Sequence, residues 1–259
     1  MFRFINIFFK LLATNLIILR SQLLDKLINV QIWGFCTLVV TGYIMQASGL
    51  SAGFGIFQLA GVIATAGLFE CYGSIAKIIM DFAGEQSIGY YLTLPARPGV
   101  IILSTACGYA CIGTFLSLSM VLLGKIVFYS TFNLASIAWV KLIAITILSN
   151  LFYGLLAQAI AAHVGQVSKI GNVWSRFIFP LWFFGGFQFA WTTVFASSKL
   201  LGYAILANPI MFIMEGTRAC IQGQEGFISW WICMGALGLF TIVTWFVTYN
   251  RMQKRLDFV

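Results

Sequence analysis

Charge is what this sequence has least of. Lysine, arginine, aspartate and glutamate make up 8% of 259 residues, while 61% are hydrophobic. A soluble domain needs roughly a quarter of its residues charged to cover its surface. A water-soluble globule is therefore excluded, and lipid must face much of the chain. Histidine is nearly absent too. The one copy, His163, excludes H-E-x-x-H zinc chemistry and bis-histidine haem within one chain, and is read as an interfacial residue at a helix end. The aspartates are Asp25, Asp81 and Asp257, none inside an expected span, so a paired intramembrane aspartyl site is excluded. The Gly124-Lys125 pair is followed by Ile126 and lacks a glycine five residues earlier. There is thus no phosphate-binding loop, and no cofactor is expected on this chain. Cys36, Cys71, Cys107, Cys111, Cys220 and Cys233 form no C-x-x-C pair, so no metal site is expected. All but Cys220 fall in expected spans, where a thiol packs as a small apolar group.

What is there is hydrophobic length. Uncharged runs cover 27–69, 98–124, 142–168, 177–198 and 226–250, the last four 22 to 27 residues each. A helix needs about 20 residues to cross hydrocarbon. The first run, 43 residues, is interrupted by the small-residue stretch Gln46 to Gly55, which reads as a turn between two spans. Without period-two alternation a barrel is excluded, and lipid leaves helices as the alternative. The expectation is an all-α integral membrane domain over 1–259, with about six spans at 28–46, 55–77, 99–123, 138–162, 173–195 and 228–249.

Basic residues set the orientation. Arg3, Lys10, Arg20, Lys26, Lys77, Arg97, Lys169, Arg176, Arg251, Lys254 and Arg255 fall on the side of both termini. Lys125, Lys141, Lys199 and Arg218 fall on the other. Eleven against four puts both termini in the cytoplasm. The net charge of +8 is then an orientation signal and an attraction to anionic lipid, with no basic surface set apart for nucleic acid.

Three segments stand apart from the spans. Residues 1–26 carry a helical stripe of Phe4, Ile7, Phe8, Leu11, Leu12, Asn15, Ile18 and Leu19, expected to lie in the headgroup plane or to lead, partly buried, into the first span. Residues 78–98 form the most polar stretch. There Asp81 and Glu85 are i,i+4, Ile88, Tyr91 and Leu92 make an apolar edge, and Pro95 and Pro98 end any helix. Such a cytoplasmic helix suits docking on another protein; the alternative is a solvated loop. Residues 200–224 hold two half-length apolar pieces split by Asn208-Pro209, an N-cap and first helical residue, with a stop at Gly223. A re-entrant hairpin is expected, with Glu215 and Arg218 neutralising one another at i,i+3. Within the spans, Glu70 is the acid most deeply placed. It lies near Ser74 and Lys77 and is either a pathway group or a packed, hydrogen-bonded acid. Trp182, Phe184 and Phe187 flank Gly185-Gly186 and could grip an amphipathic or sugar-bearing substrate.

The stretch Asn208-Pro-Ile-Met-Phe-Ile-Met-Glu-Gly-Thr-Arg218-Ala-Cys-Ile-Gln-Gly223 and the segment Glu85 to Pro95 resemble the corresponding parts of ABC-2 transporter permeases. The second match departs from the family pattern in the place of a glycine after the leading charged residues. The resemblance implies a homodimer in a bacterial cytoplasmic membrane, with cytoplasmic ATPase subunits docked on the segment around Asp81 to Pro95. ATP and Mg would sit in those partners. The cargo would be a lipid, lipid-linked glycan or drug-like molecule. The alternative is a secondary carrier driven by an ion gradient, for which Glu70 is the main intramembrane candidate.

Overall fold

The computed structural model describes residues 2–51, 53–83, 98–164 and 167–256. Among these every regular element is helical. Helix α1 (Phe2–Arg20) is followed after a two-residue turn by α2 (Leu23–Ala47), which contains a π-helical turn at Val40–Ile44. Then come α3 (Phe54–Ala83), α4 (Pro98–Val127) and α5 (Trp139–His163). The next helix, α6 (170–184), has a π turn at Trp174–Ile178. The short helices α7 (Trp191–Ser197) and α8 (Lys199–Ile205) precede α9 (Pro209–Ile221) and the long C-terminal α10 (Trp230–Leu256). Among the described residues five helices are long and apolar enough to cross a membrane: α2, α3, α4, α5 and α10. A sixth is counted if α8 and α9, bent by 96° at their junction, are taken as one broken span.

The expected span 173–195 is not one helix. The π turn at Trp174–Ile178 widens the backbone just before Pro180, whose ring and missing N–H disfavour a regular α-helix there. Helicity ends at Phe184, and Gly186 takes a φ of +87°, the left-handed region that favours glycine. The chain restarts as a helix only at Trp191. The expected second span also ends later than its apolar run: α3 continues to Ala83, so Asp81 sits on the same helix as Glu70.

The bundle is centred on α5, which packs against α4, α10 and α3, with α9 inserted beside it. Small residues permit the approach. Asn150 of α5 stands between Gly67 of α3 and Gly113 of α4, where a methyl group on either glycine would collide with its Oδ1. Its amide donates to Thr146 O at 2.8 Å and to Ser117 Oγ at 3.4 Å. Further polar ties link the helices along α5: Tyr153 Oη donates to Ala64 O (3.0 Å), Gln158 Nε2 to Ile102 O (3.1 Å) and Thr248 Oγ1 to Leu155 O (3.2 Å). In hydrocarbon such groups must find partners within the protein.

The α1 stripe faces protein. Leu11 and Leu19 are buried and Ile7, Phe8, Leu12 and Asn15 half-buried, with α1 packed along α4, where Asn15 and Leu19 cover Gly108. Ile18 is the exception, turned outward at 55% exposure. The helix ends at Arg20, so Leu23 to Lys26 belong to the first span and not to the N-terminal element.

Candidate functional site

A fully buried, multiply bonded cluster lies where α9 meets the broken stretch between α6 and α7. Asn208 caps α9, its Oδ1 accepting from Ile210 N at 3.0 Å while its Nδ2 donates to Leu181 O at 2.7 Å. Pro209 occupies the first turn, where its missing N–H costs nothing. Every residue from Pro209 to Ile221 is buried, and the helix stops before Gly223, at φ +98°. A helix buried on all sides needs internal charge balance, and it has one. Glu215 and Arg218 form an ion pair at 3.4 Å with both side chains fully buried.

Each partner also reaches beyond α9. Glu215 accepts from the backbone N–H groups of Trp191 (3.1 Å) and Ile228 (3.2 Å). Arg218 donates to the carbonyls of Gly186 (2.6 Å), Phe187 (3.2 Å) and Phe189 (3.0 Å). Its guanidinium lies over the Phe57 ring at 3.6 Å, joining α3 to the cluster. Breaking the α6–α7 stretch frees carbonyls that lipid cannot solvate, and Arg218 supplies donors in a fixed fork to hold them. Glu215 does the converse for two N–H groups. The pair therefore fixes the 186–191 turn, α9 and the entry to α10 as one unit. Gly185 and Gly186 permit the contact: a methyl group at Gly185 would approach Ile210 Cγ2 to 2.6 Å.

The aromatics expected to act together divide. Trp182 and Phe187 pack at 4.5 Å, and with Trp33, Phe69, Tyr72 and Trp174 they fill the seam between α2, α3 and α6. Phe184 points away, 60% exposed, edge-on to Phe183. It is not part of the Trp182–Phe187 seam.

Glu70 is paired, and its partner is not on its own helix. Its carboxylate takes an ion pair from Lys26 of α2, while Lys77 bonds to the side-chain oxygen of Gln22. Ser74 Oγ donates to the Glu70 backbone carbonyl at 2.9 Å, not to its carboxylate. Lys26 thus leaves the free basic set at the end of the first span and ties it to α3. Glu85, Ile88, Tyr91, Leu92 and Pro95, assigned to a docking edge, lie outside the described residues. Among the described residues no group of three or more His, Cys, Asp and Glu side chains could hold a metal ion.

Some residues of the site were not anticipated. Phe57, Trp191 and Lys26 have ordinary sequence contexts, and only the fold shows their roles. Gln58 left a visible signal. It lies inside the 43-residue uncharged run and is fully buried on α3, with neither end of its amide hydrogen-bonded among the described residues. The indole Nε1 of Trp182 is likewise buried and unpaired among the described residues.

Together these helices define a multi-pass membrane protein. No family model matches the chain, and no curated protein matches it either.

Proposed function

We propose that the chain is the permease subunit of an ATP-driven exporter of the ABC-2 type, working as a homodimer with separate cytoplasmic ATPase subunits. One observation carries this reading most: the 96° break at Asn208-Pro209 leads into a helix buried along its whole length and neutralised internally by Glu215 and Arg218. Such a half-length element beside five span-length helices is the arrangement that the sequence resemblance implies. The chain also lacks a phosphate-binding loop, so on this reading the energy comes from another polypeptide. The intramembrane acids argue in the same direction. Glu70 is held by Lys26 and Glu215 by Arg218, which leaves neither as a free proton carrier.

On this reading both termini and the segment from Asp81 to Pro95 face the cytoplasm. Nucleotide-driven closure of the ATPases is transmitted through that segment to α3 and α4. Cargo is a lipid, lipid-linked glycan or amphipathic molecule, since sparse intramembrane charge disfavours a pathway for small ions. The test is uptake into inverted vesicles containing this chain, with and without its ATPase partner. Uptake is expected only with the partner and ATP, and Tyr91→Ala is expected to abolish coupling, because buried aromatic anchors dominate such contacts. Ion-gradient-driven uptake by the purified chain alone, unaffected by Tyr91→Ala, would establish a secondary carrier instead.

A further inference from the structure

A pocket of about 420 Å³ opens at the end of the bundle that carries the α2–α3 turn, beside the 186–191 turn. It is at the small end of the roughly 300–1,000 Å³ typical of ligand pockets, with room for about one or two six-membered rings. Its aromatic lining includes Phe54, Phe57 and Phe189, and Gln188, Thr193 and Gln222 supply polar groups. Phe54 and Phe57 are stacked, their centroids 5.6 Å apart and their planes 20° from parallel.

Three observations define the chemistry that fits. First, none of the described residues lining the pocket is charged. Second, Arg218 lies against the lining residue Phe57, fully buried and neutralised by Glu215. A ring whose π-system already holds a guanidinium is a poor seat for a second cation, and the Glu215 carboxylate is committed to Arg218, Trp191 and Ile228. Ionic ligands of either sign therefore find no partner. Third, Gln188 and Gln222 are exposed, and among the described residues no hydrogen bond holds either side-chain amide. Each presents donors and an acceptor to whatever enters.

An aromatic surface below free amide donors and acceptors matches a neutral ring with an apolar C–H face and a hydroxylated edge. We propose that this pocket binds a neutral sugar unit, a site distinct from the α2–α3–α6 aromatic seam. This rests on the exporter reading for its location, which places the pocket at the outer face where cargo leaves. It narrows the cargo to one bearing a glycan. A sugar seated there touches the 186–191 turn directly, because Gln188 and Phe189 belong to it.

The test uses the full chain in lipid nanodiscs and saturation-transfer NMR with glucose, N-acetylglucosamine, octyl β-glucoside below its micellar concentration, and tetramethylammonium. Sugar ring protons should receive saturation from wild type. They should bind roughly tenfold more weakly to Gln188→Ala/Gln222→Ala, the effect expected from losing two hydrogen bonds. Both positions are exposed, so the variant is expected to fold, and its circular dichroism should match wild type. If octyl glucoside exceeds glucose in the wild-type-minus-variant difference, the sugar is that of a glycolipid; equal differences assign a soluble glycan. No transfer to any sugar, equal transfer to wild type and variant, or preference for tetramethylammonium would each overturn the proposal. Because the pocket lies within this chain, binding is measured without the ATPase. The uptake assay decides the energy source separately.

Discussion

Lys26 and Glu70, 44 residues apart in sequence, close an ion pair that is nearly shielded from solvent, with side-chain exposures of 13% and 10%. It joins α2 to α3. On α3, Glu70 lies four helical turns from Gly55, where the Phe128 ring packs at the opposite end, 2.8 Å from where a Gly55 methyl would sit. The pair and this aromatic socket therefore fasten the first two spans at both ends.

Removing one partner of such a pair leaves a buried charge uncompensated. Lys26→Met should destabilise the protein by about 3 kcal/mol, and Glu70→Met by a similar amount. The double variant Lys26→Met/Glu70→Met should recover most of the loss, because two thioether chains fill the same volume without desolvating charge. A double-mutant cycle on chemical unfolding in detergent measures this. Additive losses would show that the two residues are not coupled.

The contact of Asn150 with Gly67 and Gly113 makes a second prediction. A methyl group at either glycine would collide with Asn150 Oδ1. Gly67→Ala should cost about 2–3 kcal/mol, within the range for overpacking a filled core. Adding Asn150→Ala should restore part of it by removing the colliding amide. Gly73→Ala, on the same helix with nothing within 4 Å of the added methyl, should be neutral or slightly stabilising. Thermal melting in detergent distinguishes these outcomes. An equal effect at Gly67 and Gly73 would mean that helix propensity, not packing, sets the cost.

Hydrophobic length located α2, α3, α4, α5 and α10 because a span-length apolar run is a one-dimensional property. The Asn208-Pro209 break was legible for a similar reason: N-cap and proline act on adjacent backbone. The 177–198 run misled because absence of charge reports compatibility with lipid, not helical continuity. What permits a break there is Arg218, about thirty residues onward, and no local pattern connects it to the carbonyls of Gly186, Phe187 and Phe189. Glu70 shows the same limit. Its helical neighbours Ser74 and Lys77 could be read from spacing, whereas Lys26 required knowing how α2 lies against α3.

Orientation is tested independently of any of these contacts. Eleven basic residues against four predict that the termini share the cytoplasmic side. In a background lacking the native cysteines, single cysteines at Ser87 and Val259 should be labelled by an impermeant thiol reagent only after the cells are opened. One at Ser51 should be labelled in intact cells. Labelling of position 87 from outside would reverse the orientation and rule out the coupling role proposed for the 78–98 segment.

The cluster around Arg218 makes the strongest demand on a single side chain. Arg218 serves three carbonyls, one carboxylate and one aromatic ring, all without solvent. Arg218→Ala strands Glu215 and orphans the carbonyls of the 186–189 turn, so a loss of about 3–5 kcal/mol or failure to fold is expected. Arg218→Lys keeps the charge but offers no planar fork, and should recover only part of the stability. Glu215→Gln removes the negative charge and keeps an acceptor for only one of the Trp191 and Ile228 N–H groups, which reach different carboxylate oxygens, but leaves the Arg218 bonds to the 186–189 carbonyls in place, and should be milder than Arg218→Ala. Chemical unfolding in detergent ranks the three. Accessibility supplies a readout that does not depend on stability: α9 is buried along its length, so cysteines placed singly from Ile210 to Met214 and at Thr217 should resist a bulky external thiol reagent. In the Glu215→Gln background they should become reactive if the ion pair holds α9 closed against the 186–191 turn. Free reactivity at all these positions in the otherwise native chain would make the segment an ordinary surface loop and remove the basis for a re-entrant gate.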